Sequence, residues 1–138
     1  MVCAVPSSAP ELALRYLLEL STDIRGALLL DRDGRLLASA GHLAAGDLAA
    51  VGERLAAGAR GLAQNGRADA DWAKAAIEID VHSTGGTMFL LGEAAHLMAC
   101  VTNRSVHPGL IFYDMHAVLR DLERAAAAEA VRERGVAR

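Results

Sequence analysis

The sequence predicts an α/β sandwich: one five-stranded antiparallel sheet with helices on both faces, in the order α-ββ-α-βββ-α. Three observations carry this. Three stretches repeat apolar residues at helical spacing, two short apolar runs flank an Asp/Gly turn, and three further strand-like runs follow one another across short turns. A chain of 138 residues is the size of one domain. We read a core over about residues 8–124 and a helical C-terminal extension over 125–138, with no repeat and no interdomain linker.

Ser8-Ala9-Pro10-Glu11 has the spacing of a capping box. Ser8 is placed to accept from the Glu11 amide, and Pro10 sits where a first helical turn tolerates it. Leu14, Leu17 and Leu18 follow at helical spacing, so a first helix is expected over about residues 9–20. Ile24 to Leu30 and Arg35 to Ala40 are apolar runs on either side of Asp31-Arg32-Asp33-Gly34, which is a hairpin. From Asp47 to Gln64, Leu48, Val51, Leu55 and Leu62 fall on one face, as a helix lying on a sheet requires. Ile77, Ile79 and Val81 then alternate with Glu78, Asp80 and His82, the period of a strand with one polar face, at an edge of the sheet. Turns at 82–86 and 92–95 lead into Thr87–Leu91 and His96–Thr102. Behind Pro108, Ile111, Met115, Val118 and Leu122 form the stripe of a last helix, which frays by Gly135.

Composition narrows the function. A formal charge of −3 with dispersed basic residues lacks the footprint of a phosphate-backbone binder, so nucleic acid is not an expected partner. No apolar run reaches bilayer length, and Met1–Glu11 has neither the basic nor the apolar region of a signal peptide, so no membrane insertion and a cytoplasmic location are expected. Cys3 and Cys100 make no disulfide framework, and Cys100, between Ala99 and Val101, reads as a small core residue. Lys74 is the sole lysine among 14 basic residues, and with abundant Ala, Gly and Arg this points to a GC-rich bacterial genome.

No catalytic or cofactor chemistry can be assembled. Lys74 follows Asp71-Trp72-Ala73 and no Gly-rich phosphate cradle. His42, His82, His96, His107 and His116 never form an i, i+4 pair and have no nearby ligand at zinc spacing. His107 reads as the residue that opens the last helix, and His116 as part of its polar face. Asp31 and Asp33 read as acceptors for turn amides, not as a carboxylate pair. The expectation is a non-enzyme with no cofactor and no metal.

One feature is unusual. The second helix contains Gly52, Gly58 and Gly61, each costing roughly 1 kcal/mol relative to Ala. At 100° per residue, Gly52, Ala56, Ala59 and Ala63 form a small-residue strip beside the Leu48/Val51/Leu55/Leu62 strip. Such a strip lets another helix approach closely, unless an Ala-rich composition simply places Ala in solvent.

The element order, with the hairpin Ala27-Leu28-Leu29-Leu30-Asp31-Arg32-Asp33-Gly34-Arg35-Leu36-Leu37-Ala38, resembles the roadblock family of dynein light-chain-type domains over about Leu14 to Arg124. Leu97 to Asn103 followed by Pro108-Gly109-Leu110-Ile111 is similar to the family's last strand and its glycine-containing approach to the final helix. The resemblance implies dimers formed by pairing the second helix and the third strand. Here that interface comprises Leu48, Gly52, Leu55, Ala56, Ala59, Ala63, Ile77, Ile79 and Val81. It also implies a bacterial regulator or adaptor beside a Ras-like small GTPase, as an activator of hydrolysis in motility systems or next to a sensor kinase in actinobacterial operons. The GC-rich bias fits the actinobacterial setting. Two other readings stand beside it: a homodimeric scaffold in a signalling complex without a GTPase, and a small-molecule sensor with a pocket between helix and sheet. Fold and site are separable, so the resemblance does not by itself transfer the function.

Overall fold

The computed structural model describes residues 9–42, 48–65, 76–83, 86–103 and 106–136. Its elements are α1 (Ala9–Leu20), β1 (Ile24–Asp31), β2 (Leu36–Gly41), α2 (Leu48–Asn65), β3 (Ile77–Ser83), β4 (Gly86–Glu93), β5 (His96–Thr102) and α3 (Pro108–Val136). This is the order expected from the sequence. The expected Ser8 cap and the loop after Asn65 lie outside the described residues. β3 continues two residues past Val81, because His82 and Ser83 keep pairing with Thr87 and Gly86.

The strands form one sheet in the order β2-β1-β5-β4-β3, with every neighbouring pair antiparallel. β2 and β3 are therefore its edges. β1 and β5 are buried on both faces, and that is why they read as continuous apolar runs, whereas β3 keeps the alternation of a strand covered on one side.

One face carries α1 and α3. Leu14 and Leu17 of α1 and Ile111, Met115, Val118, Leu119 and Leu122 of α3 close over Ala27, Leu29, Phe89, Leu91, Met98 and Cys100. Phe89 meets Phe112 edge to face at 5.2 Å between ring centroids, a geometry that favours aromatic pairs beyond their buried area. The other face carries α2, which covers Leu28, Leu30, Leu90, Leu97 and Ala99.

The β1–β2 turn is built as its residues demand. Asp31 Oδ1 accepts from the amides of Asp33 and Arg35, both at 2.9 Å, and Gly34 takes the left-handed backbone (φ 89°) that glycine adopts without strain. Arg32, on the same turn, is buried beneath α2 and donates from Nε to the Ala94 carbonyl at 2.9 Å, tying the β1–β2 turn to the β4–β5 turn. At α3, the Leu110 and Ile111 amides donate to the His107 carbonyl, so His107 does open that helix.

Candidate protein-binding interface

The two strips of α2 face opposite ways from the sequence expectation. Gly52, Ala56 and Ala59 lie against the chain's own sheet: Ala56 and Ala59 are buried in the core beneath α2, and a Cβ on Gly52 would lie 2.8 Å from both the Gly34 carbonyl oxygen and Leu30 Cδ2. The small side chains let α2 sit close to the β1–β2 turn. They are not a free surface for a partner helix, and the assignment of Gly52, Ala56 and Ala59 to such a contact is corrected.

The large apolar side chains are the ones left outside. Val51 is 39% and Leu62 63% exposed, while Leu55 is half-buried at the rim of the core. The side chains of Leu48 and Ala63 lie outside the described residues. Centring the small strip on the sheet carries the adjoining large strip to the flank of the helix, because at 100° per residue the two are centred nearly a quarter turn apart.

β3 continues this surface. Ile77 and Ile79 are half-buried against the core under α2, whereas Val81, at the same pleat position further along, is 49% exposed. Val81 stands opposite Met88, and Met88 opposite Val101. These three, with Ser83, Gly86 and Thr87, line a shallow cavity of about 310 Å³. Among the described residues β3 pairs with β4 alone, so its outer row of backbone groups faces no strand. An open strand edge with exposed Val and Leu side chains on the same face of the sheet is a candidate surface for binding protein.

Polar chemistry gathers on the opposite side of β3. His116 of α3 is bonded at both ring nitrogens, Nδ1 to Glu93 Oε2 and Nε2 to Glu78 Oε2, each at 2.8 Å. His82 bridges Asp80 and Thr87, and His96 bonds Glu123 across to α3. The contacts of His116 and His96 span 23 to 38 residues of sequence, so no local spacing could reveal them. Cys100 is a core residue as expected. Burial pushes its thiol up to about 12, and its Sγ contacts Met115 Sδ at 3.7 Å. Among the described residues no group of His, Cys, Asp and Glu is placed to hold a metal ion, and no helix is long and apolar enough to cross a membrane.

No family model matches the sequence, and no curated protein matches it. Among solved structures, Myxococcus xanthus MglB superposes with a TM-score of 0.73 at 10% identity, covering 90% of this chain and 99% of that one. A Roadblock/LC7 domain from Streptomyces avermitilis gives 0.61 at 17% identity, over 85% of this chain and 97% of that one. This chain has the roadblock fold. The gliding protein MglB from Thermus thermophilus agrees, with 0.63 at 23% identity over 93% of this chain and 98% of its own. The roadblock fold thus accounts for nearly all of the described chain, with α2 on one face of the sheet and α1 and α3 on the other. Its edge strand and the outward flank of α2 form the surface built above.

Proposed function

We propose that this roadblock chain is a cytoplasmic, homodimeric regulator of a Ras-like small GTPase that supplies shape and not a catalytic side chain. The observation that carries the reading is the outward apolar flank of α2, Val51, Leu55 and Leu62, beside the open edge of β3 with Val81. A second copy across a two-fold axis would continue the sheet and cover both, which makes such an interface self-complementary. Leu48, Ala63, Ile77 and Ile79 belong to this proposed interface, and Gly52, Ala56 and Ala59 support it from beneath. One solved relative in fold is described as MglB with a tetrameric arrangement, which favours self-association.

The GTPase part rests on the likeness in fold to MglB proteins, and a sensor-kinase complex is the wider setting in which we place it. Sedimentation equilibrium of wild type and of a Leu62→Glu/Val81→Lys double variant tests the dimer. We expect a dimeric wild type and a monomeric variant; a monomeric wild type refutes the reading. Affinity capture from the native cell with both proteins tests the partner: a small GTPase retained by wild type and lost with the variant is expected. A chain that itself bound a fluorescent GTP analogue at micromolar concentration would contradict the regulator role.

A second reading has an observation of its own. A cavity of about 330 Å³ between α2 and the β1–β2 turn is lined by Arg32, Glu53, Arg60 and Gln64, among others, which suits a small-molecule sensor. Capture of no GTPase, together with a ligand-induced rise in Tm, would favour it.

A further inference from the structure

The His116 site does something that a polar helix face does not need to do. A neutral imidazole has one N–H, so it can donate to only one of two ionised carboxylates. His116 faces a carboxylate at each nitrogen, one on the edge strand β3 and one on β4, and donation to both requires the imidazolium. Among the described residues, the bond between His116 and Glu78 is also the side-chain hydrogen bond that joins β3 to a helix. We infer that protonated His116 is a clamp that holds the edge strand β3 to α3 and opens as pH rises, so that the dimer edge is under proton control. The dimer part rests on the homodimer reading above.

The groups around the imidazole decide what happens when its second proton leaves. Glu93 has another cation at hand, Arg120 one helical turn on, with Nε 3.6 Å from Oε1, and it is the less exposed carboxylate. Glu78 is half in solvent. His96 stands opposite Glu93 in the strand register but bonds Glu123, and Asp80, next on the same side of β3, is held by His82. The single proton of neutral His116 therefore stays toward Glu93, which is less exposed and cannot replace a lost hydrogen bond with water as readily even beside Arg120, and Glu78, half in solvent, turns to water. β3 then loses its tie to α3 while its pairing to β4 persists.

Burial alone would disfavour the cation. The hydrogen bonds and charges of Glu78 and Glu93 outweigh it, and the His116 pKa is raised above 6.5.

The test is an NMR titration of the histidine rings and backbone amides of the whole chain between pH 5.5 and 9. We expect His116 to titrate above 6.5 and the amides of Ile77 to Ile79 to follow the same midpoint. In Glu78→Gln the His116 midpoint should fall and the β3 response vanish. A His116 midpoint at or below 6.5, or β3 amides that ignore it, overturns the clamp. Sedimentation equilibrium at pH 6 and pH 8.5 reads its consequence: the dimer dissociation constant should rise about two- to fivefold in wild type, the scale of a partly exposed ion pair, and stay level in His116→Gln. A wild-type dimer indifferent to pH overturns the proton control. A wild type monomeric at both pH values overturns the dimer reading instead, and the NMR titration then decides the clamp alone.

Discussion

Gly52 and Gly34 hold α2 against the sheet by what they lack. A Cβ on Gly52 would stand 2.8 Å from the Gly34 carbonyl oxygen, and a Cβ on Gly34, whose φ is 89°, would stand 2.8 Å from the Cα of Glu53. Backbone meets backbone here, and neither side can swing away as a flexible side chain would.

Gly52→Ala should therefore destabilise the protein by about 1–3 kcal/mol through overpacking, although alanine is the better helix former by roughly 1 kcal/mol. Gly61→Ala on the same helix should stabilise by about 0.5–1 kcal/mol, because a Cβ there meets nothing within 4 Å. Urea denaturation of both variants checks the contrast; equal signs for the two would refute the assignment of the small strip to the sheet.

Leu62 and Val81 are exposed in the single chain, so Leu62→Glu and Val81→Lys should each change the stability of the monomer by less than about 0.5 kcal/mol. The wild-type Tm should rise with protein concentration and that of the double variant should not, since association stabilises only what associates. A concentration-independent wild-type Tm is the outcome that disagrees.

The Cys100 thiol, pushed from 9.0 to about 12, presents almost no thiolate at pH 8. In a Cys3→Ser background, iodoacetamide should leave the folded chain unmodified and label it at once in urea. Labelling of the folded chain at the rate of a free thiol would show that Cys100 is accessible.

His116 also makes global stability depend on pH, with a definite sign. Its folded pKa lies above the unfolded value of 6.5, so its contribution is complete below pH 6.5 and is lost as pH rises through the folded value. Chemical denaturation from pH 6 to pH 9 should show this decline, and His116→Gln should remove it. A decline that persists in His116→Gln would belong to other groups.

The fold was legible because its signals are local. The Asp31–Gly34 turn, the alternation of Ile77, Ile79 and Val81, and the α3 stripe Ile111, Met115, Val118 and Leu122 each declare themselves within a few residues, and each stands in the structure as read. The orientation of α2 was not legible. Periodicity shows that Leu48, Val51, Leu55 and Leu62 share a face and that Gly52, Ala56, Ala59 and Ala63 share the next. Which face meets the sheet depends on how near the helix axis lies, and that is set by the Gly34 turn, far away in sequence. The rule that the larger apolar face goes inward fails where the space above a sheet admits only small residues. His116 was read as surface for the same reason: both of its carboxylates come from strands that local spacing cannot place beside α3.

The strand order has a consequence for how the chain reaches this state. β1 and β2 form a local hairpin, and β3, β4 and β5 a local meander, but the sheet becomes one only when β1 pairs with β5. Asp31 lies opposite His96, about 65 residues later, and closing so long a loop is the slow kind of event that high contact order imposes. During synthesis α1 is already available to cover Ala27 and Leu29, but the inner edge of β1 must wait unpaired until β5 has been made. Until then the unpaired edge of β1 is the stretch of the newly made chain that another chain could pair with.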